Sequence, residues 1–438
     1  MKKTIDGGRK LITILSVLSI LAVSIFSVFI GVDFKAVAET PVDVEIWGGY
    51  DSQKLAIPFD SGDGSALNPY IITNGDQLFR MIYDLGLSAN DQATYYKLGA
   101  DIYLNDITNY NQWGDDNFDR SVLNNWYENE AYFTNYYNSN LKPQNYAFHG
   151  NFDGDSHFIY GLYAEGYQFA GLFPTAADEA VIKNVHLRNS YCVNTANINS
   201  NDQEGEDAGN GVTSGNRTWY DLRYGSAAVL ITWAEAAPSV YNCSIRDAYV
   251  EASYFASGIL GAVNGHYPAV KNCLVADVEL NATSTESRVQ GITAGIFSHV
   301  YGGDDMGTIE DCIVADVQVY GASGRDIMWG GQKVPSIQTS YFFKNVYSNV
   351  EHTYSVDHYS HGKLNYNDPE ISIVKSGYLK GDKAAEKLNL DWEHNWNVVE
   401  DDYPMPQNYY IAPTGDQYYE NGGPAASEDF WDGKAAKN

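Results

Sequence analysis

Through the middle of the chain apolar residues recur at about every second position, the period of a strand, and no stretch there keeps a helical period. The alternation comes in copies. Val240-Tyr-Asn-Cys243-Ser-Ile-Arg-Asp-Ala-Tyr-Val250 returns as Val270-Lys-Asn-Cys273-Leu-Val-Ala-Asp-Val-Glu-Leu280 and as Ile309-Glu-Asp-Cys312-Ile-Val-Ala-Asp-Val-Gln-Val319. Ile182-Lys-Asn-Val185-His-Leu-Arg-Asn-Ser-Tyr-Cys192 is a fourth copy with valine at the cysteine position, and Phe343-Lys-Asn-Val-Tyr-Ser-Asn-Val350 is a weaker fifth. Small-residue segments precede four of them: Ala170-Gly-Leu-Phe173, Ala227-Ala-Val-Leu230, Ser257-Gly-Ile-Leu260 and Ala294-Gly-Ile-Phe297. From the second residue of each segment to the next Asn or Asp the count is 13, 14, 14 and 16. Each unit therefore reads as two short strands, with Gly and Asn at corners that need a left-handed backbone. Self-similarity at this spacing is the mark of a solenoid, in which short strands coil and stack in register into parallel sheets.

One convincing helix stands outside the repeats. In Gly75-Asp-Gln-Leu-Phe-Arg-Met-Ile-Tyr-Asp-Leu85, Leu78, Met81, Ile82 and Leu85 share one face, and Thr73 or Asn74 can cap it. Its expected task is to plug the open first coil. The polar, glycine-rich Asn194 to Tyr224 reads as a corner loop.

Several stretches resemble the GLUG-repeat proteins of bacteria. They are Ala170-Gly-Leu-Phe173, Phe152-Asp-Gly-Asp-Ser-His-Phe-Ile-Tyr-Gly-Leu162, Gly62-Asp-Gly-Ser65, Asn68-Pro-Tyr-Ile-Ile72 and Leu98-Gly-Ala-Asp-Ile-Tyr-Leu104. Trp392 to Pro406 is similar to the family's closing segment, so the likeness covers about residues 44 to 406. Pro174 stands where the nominal repeat ends in glycine, whereas Gly261 keeps it. The resemblance implies an exported, surface-associated, all-β protein built as a right-handed parallel β-helix, and it carries over no catalytic residue. The expected order is a signal peptide over 1–38, an N-terminal cap and first coil over 39–106, and an aromatic insert over 107–148. Repeats and the closing segment follow over 149–406, then a flexible acidic tail over 407–438.

The leader reading rests on Lys2, Lys3, Arg9 and Lys10, the apolar run Leu11 to Ile30 and the cleavage pattern Ala36-Val37-Ala38. An uncleaved membrane anchor is the alternative, since such a run is long enough to span a bilayer. The formal charge is −29, and without the leader 22 basic residues face 54 acidic ones, a net −32. That balance excludes nucleic acid and anionic lipid as partners and fits a secreted or cell-surface protein. With 35 Tyr, 9 Trp and 17 Phe the chain is too aromatic to be disordered.

Four cysteines in an exported chain suggest disulfides, but Cys243, Cys273 and Cys312 share one repeat position. They are expected as a column of buried free thiols, with a bridge as the alternative.

Candidate chemistry then moves to the loops. Asp153 and Asp155 around Gly154, with His157, could be an acid/base pair, but the segment also reads as a turn. Asp115-Asp116 with Asp119, and Gly302-Gly-Asp-Asp305, could take calcium, yet neither has the spacing of a defined calcium loop. Otherwise no cofactor or metal is expected. Trp113, Trp126, Tyr127, Tyr132, Phe133, Tyr136 and Tyr137 crowd one insert. Of these, Trp113, Trp126, Tyr127, Tyr136 and Tyr137 are the ligand-binding candidates, as a platform for sugar or simply as packing. The sequence thus predicts an exported binding or scaffold protein. Its partner is an extracellular glycan or a host or cell-surface protein, with no nucleic acid and no membrane beyond the leader. A polysaccharide lyase or glycoside hydrolase working in a groove along the coil is the alternative.

Overall fold

The computed structural model describes residues 40, 44–51, 57–84, 94–127, 147–167, 169–177, 180–196, 225–235, 238–264, 268–284, 291–301, 307–320, 323–324, 328–329, 341–349, 354–355 and 371–407. Contacts divide the chain into Met1–Glu39 and Thr40–Asn438, and every described residue belongs to the second unit. That unit is mostly β, with two α-helices among the described residues, α1 (Gly75–Asp84) and α2 (Gly381–Lys387). Its strands form sheets of eight, four, six and ten strands, plus one antiparallel pair, Trp396–Asn397 with Met405–Pro406.

From Val181 the chain visits four sheets in a fixed order. Val181–Lys183 lies in the eight-stranded sheet, His186–Asn194 in the ten-stranded, Ser226–Ala228 in the four-stranded and Ile231–Glu235 in the six-stranded sheet. The next cycle is Ser239–Tyr241, Ser244–Ala252, Phe255–Ser257 and Leu260–Asn264, each strand pairing in parallel with its forerunner. A third cycle follows through Ala269–Lys271, Leu274–Ala282, Ile292–Ala294 and Phe297–Tyr301.

Register stacks like on like. Phe152, Ile182, Val240, Val270 and Ile309 form one buried column, and Ile159, Leu187, Ile245, Val275 and Val314 another. Alternate residues along the ten-stranded sheet point away from this core, as the pleat requires. Helix α1 adds Leu78, Phe79, Met81 and Ile82 to the core beside Trp47, and Asn74 caps it by accepting from the Gln77 N–H at 3.0 Å. Leu85 lies outside the described residues.

Two details differ from the reading above. Each supposed strand is two strands with a corner between. The last three small-residue segments straddle the turn from the four-stranded to the six-stranded sheet, and the first leads into the six-stranded sheet at Phe173. At Gly258 a Cβ would sit 2.5 Å from the Gly295 carbonyl oxygen, so a side chain has no room at that corner. The pairing also puts Ile231, not Leu230, level with Phe173, Leu260 and Phe297. The second segment is therefore Ala228 to Ile231, one residue later than its composition suggests, with Val229 where the others have glycine.

The Asn and Asp corners are left-handed: φ is 55° at Asn184, 57° at Asn242, 51° at Asn272, 53° at Asp311 and 50° at Asn345. Their amides also link successive cycles of strands, as in Asn242 to Asn184 at 2.6 Å and Asn345 to Asp311 at 2.7 Å. A second left-handed column lies five residues on, at Asn189, Asp247, Asp277 and Asp316.

All four cysteines are free and buried. Cys243, Cys273 and Cys312 stand between Val185 and Val346 in one core, each donating to the carbonyl two residues back at 3.1–3.2 Å. Burial pushes the Cys273 and Cys312 thiols well up, so the thiolate needed for oxidation or alkylation is scarce. A thiol-reactive dye is expected to label almost nothing in the native chain and all four cysteines in denaturant without reductant. Fewer than four on unfolding would mean a bridge.

The closing segment covers the outer face of the ten-stranded sheet. Leu379, Ala384, Leu388, Leu390, Trp396 and Tyr403 pack on Leu274, Ala276, Ile313, Ala315 and Tyr347. Gln407, expected to open a flexible tail, is buried, its amide donating to the Trp396 carbonyl at 2.9 Å. The tail beyond it lies outside the described residues.

Candidate functional site

The insert's aromatics are core, not platform. Trp113 is 1% exposed, Trp126 1% and Tyr127 2%. Trp113 meets Tyr163 and Tyr191 of the ten-stranded sheet, with Tyr110, Phe118 and Leu123 around them. The Trp126 indole lies edge-on to Trp47 and Phe79, each at 5.1 Å, and its Nε1–H donates to the Leu172 carbonyl at 3.1 Å. The Tyr127 hydroxyl donates to Gly171 at 2.8 Å. Rings with no exposed face cannot stack on a sugar, so the platform reading fails for these three. Their size and polar tips suit a cover folded onto the sheets. Tyr132, Phe133, Tyr136 and Tyr137 lie outside the described residues.

The carboxylates around Gly154 are also engaged. The strands Asn151–Asp153 and Phe158–Tyr160 flank a turn with left-handed Asp155 and Ser156. A Cβ at Gly154 would sit 2.1 Å from the Asn184 carbonyl oxygen. Buried Asp153 accepts from Asn184 at 2.7 Å and pairs with Lys183 at 3.3 Å. Asp155 pairs with Lys97 at 2.9 Å, and His157 meets Asp101 at 3.0 Å. Burial drops the Lys183 ammonium to about 8, with Asp153 opposing the drop. These groups hold each other and the corner rather than facing a common bond.

Of the calcium candidates, Asp119 accepts from the Ser121 N–H and hydroxyl, and Gly302 to Asp305 lie outside the described residues. Among the described residues no group of three or more His, Cys, Asp or Glu could hold a metal ion. No helix of the described residues is long and apolar enough to cross a membrane.

A cluster that sequence reading missed lies on the outer face of the ten-stranded sheet. Register sets Tyr103, Tyr160, Arg188 and Arg246 on successive rungs. Tyr103 stacks on Tyr160 at 4.6 Å, Tyr160 on Phe158 at 5.5 Å, and the Arg188 guanidinium lies 5.3 Å from the Phe158 ring centre. Arg246 makes a two-pronged pair with Asp402 at 2.7 and 2.9 Å and reaches Asp277 at 3.6 Å. Burial works against both charges of that pair, but the bonds prevail, holding Arg246 up and Asp402 down. Arg188 has no such partner among the described residues, and its Nε is buried without an acceptor. Next to it, His186 is buried with its Nδ1 2.8 Å from the Ser244 hydroxyl. Further along the sheet half-buried Tyr249 and exposed Glu279 and Gln318 stand on successive rungs, with exposed Tyr320 on the same strand as Gln318. Strand alternation within each repeat could have flagged these outward positions. The missing partner of Arg188 could not have been read from it.

No family model and no curated protein matches the chain. Among solved structures it is similar to a crystal structure from Bacteroides ovatus described as a "putative immunoglobulin A1 protease". The two are 16% identical with a TM-score of 0.38, covering 80% of this chain and 95% of that one. A likeness of that size carries no argument for fold or activity.

Proposed function

We propose that the chain is an exported, cell-surface or secreted binding and scaffold protein of the GLUG-repeat kind, built as a right-handed parallel β-helix. The cyclic visiting of four sheets, with parallel pairing at every return, supports the architecture. One observation carries the function. The outer face of the ten-stranded sheet is a ladder of rungs covered at one flank by the insert and over another part by the closing segment. Outside those covers it presents half-buried Phe158, Tyr160 and Arg188 at one end and exposed Glu279, Gln318 and Tyr320 at the other. Polar and aromatic side chains at fixed spacing on a stiff sheet suit recognition of an extended extracellular ligand, a glycan first. The leader and the acidic charge fit an extracellular setting.

The purified chain from Glu39 onward, applied to a panel of extracellular polysaccharides and to intact cells, is expected to be retained without forming products. No retention on any of them would sink the binding reading. New reducing ends or unsaturated sugar products would replace it with the lyase or hydrolase alternative.

A further inference from the structure

We infer that the outer face of the ten-stranded sheet carries a binding site for an acidic saccharide, with Arg188 receiving the sugar carboxylate and Phe158 and Tyr160 lining its ring. This deepens the binding reading above and rests on it. A guanidinium carries five donors and no acceptor, and a buried donor left unmet is costly. Arg246, one rung away, turns its two terminal nitrogens to Asp402 and Asp277, although its Nε, like that of Arg188, is buried without an acceptor. Arg188 has a buried Nε without an acceptor and makes no ion pair among the described residues, and its register partner on the next rung is a second cation. Burial and the neighbouring Arg246 act against its charge, while Asp247, Tyr160 and Asp402 act for it without bonding to it. The guanidinium fork takes a carboxylate through two parallel bonds.

The surroundings select a sugar as the carrier. Arg188 sits against Phe158 and beside Tyr160, in a stack of three rings that continues to Tyr103. Neither phenol has a hydrogen-bond partner among the described residues. Burial, helped by the nearby charge of Asp101, raises both, Tyr160 to about 12, so each stays a protonated donor. Asp101 itself holds the Phe158 N–H and His157, both at 3.0 Å, and so fixes the corner from which Phe158 is presented. Apolar ring edges, free hydroxyls and a guanidinium fork side by side match a uronate, which offers C–H groups, hydroxyls and a carboxylate on one small ring.

The test is calorimetric titration of the full exported chain with an oligogalacturonate, its methyl ester and a sulfated neutral oligosaccharide. The acid is expected to bind at least tenfold more tightly than the ester. Arg188→Gln is expected to lose at least tenfold for the acid and to be unchanged for the ester. Arg188→Lys, which keeps the charge but not the fork, is expected to fall between. The acid-against-ester comparison needs no variant, so it stands even if a substituted chain fails to fold. Equal binding of acid and ester, a preference for the sulfated chain, or wild-type affinity in a folded Arg188→Gln protein would overturn the site. If the chain binds other glycans without regard to the carboxylate, only this site falls. If it binds no glycan or cell at all, the wider reading falls with it.

Discussion

Replacing Trp126 by alanine is expected to lower the free energy of unfolding by about 3–5 kcal/mol, the range for emptying a large aromatic site in a packed core. The indole is 1% exposed and touches two elements distant in sequence, Trp47 of the N-terminal segment and Phe79 of α1. It also donates to the Leu172 carbonyl at the first small-residue corner. Truncation leaves a cavity between the insert, α1 and the first parallel strands, and strips a buried carbonyl of its donor. Trp126→Phe keeps most of the volume and loses the N–H, so a cost of about 1–2 kcal/mol is expected. Denaturant titration followed by far-ultraviolet circular dichroism reads both. The two variants should be compared by midpoint as well, because a large assembly of stacked parallel sheets need not unfold in one step. A loss below 1 kcal/mol for the alanine variant would show that the insert is not part of the core. The same measurement guards against an error of interpretation: an unstable Trp126→Ala chain would also lose ligand, and the loss would mimic a direct contact.

The parts of the fold that repeat were the parts legible in the chain. The Asn at each corner was readable because a left-handed backbone leaves few residues to choose from, and φ lies between 50° and 57° at all five corner positions. The second left-handed column, at Asn189, Asp247, Asp277 and Asp316, repeats as faithfully but lies inside an alternating run, so it read as plain strand. The free thiols followed from register, because a position shared with Val185 and Val346 asks only for a small apolar group. Composition misled where it could not see depth. The aromatic insert looked like a sugar platform, but aromatic rings serve a lid and a platform equally, and only burial separates them. The Arg188 cluster shows the opposite limit. What distinguishes Arg188 from Arg246 is Asp402, a residue 156 positions from Arg246 that docks on one rung and not the other.

Acid should destabilise the chain through His186 before its carboxylates begin to titrate. Burial drives the His186 imidazole down to about 3, and the charge of Arg188 on the same strand pushes the same way. Its Nδ1 faces the Ser244 hydroxyl and its ring lies against Phe158, so no carboxylate among these contacts is placed to receive a proton's charge. In the unfolded chain a histidine titrates near 6.5. Between about 6.5 and 3 the unfolded state therefore binds a proton that the folded state refuses, and stability rises with pH across that window. Read downward, His186 costs the fold up to about 1.4 kcal/mol for each unit of pH lost below 6.5. Asp402 and Glu310 act in a lower window: their folded values are depressed, so the stability they contribute is present above the ordinary carboxylate range and lost below it. Measurements at pH 7 and pH 5 fall inside the upper part of the histidine's window, and a His186 variant separates its share from that of other groups. His186→Gln, which keeps a polar group opposite Ser244 but cannot take a proton, is expected to remove about 2 kcal/mol of the wild-type loss between those two values. Parallel stability curves for the two proteins over that interval would show that His186 is charged in the fold or open to water, and the packing described around it would then be wrong.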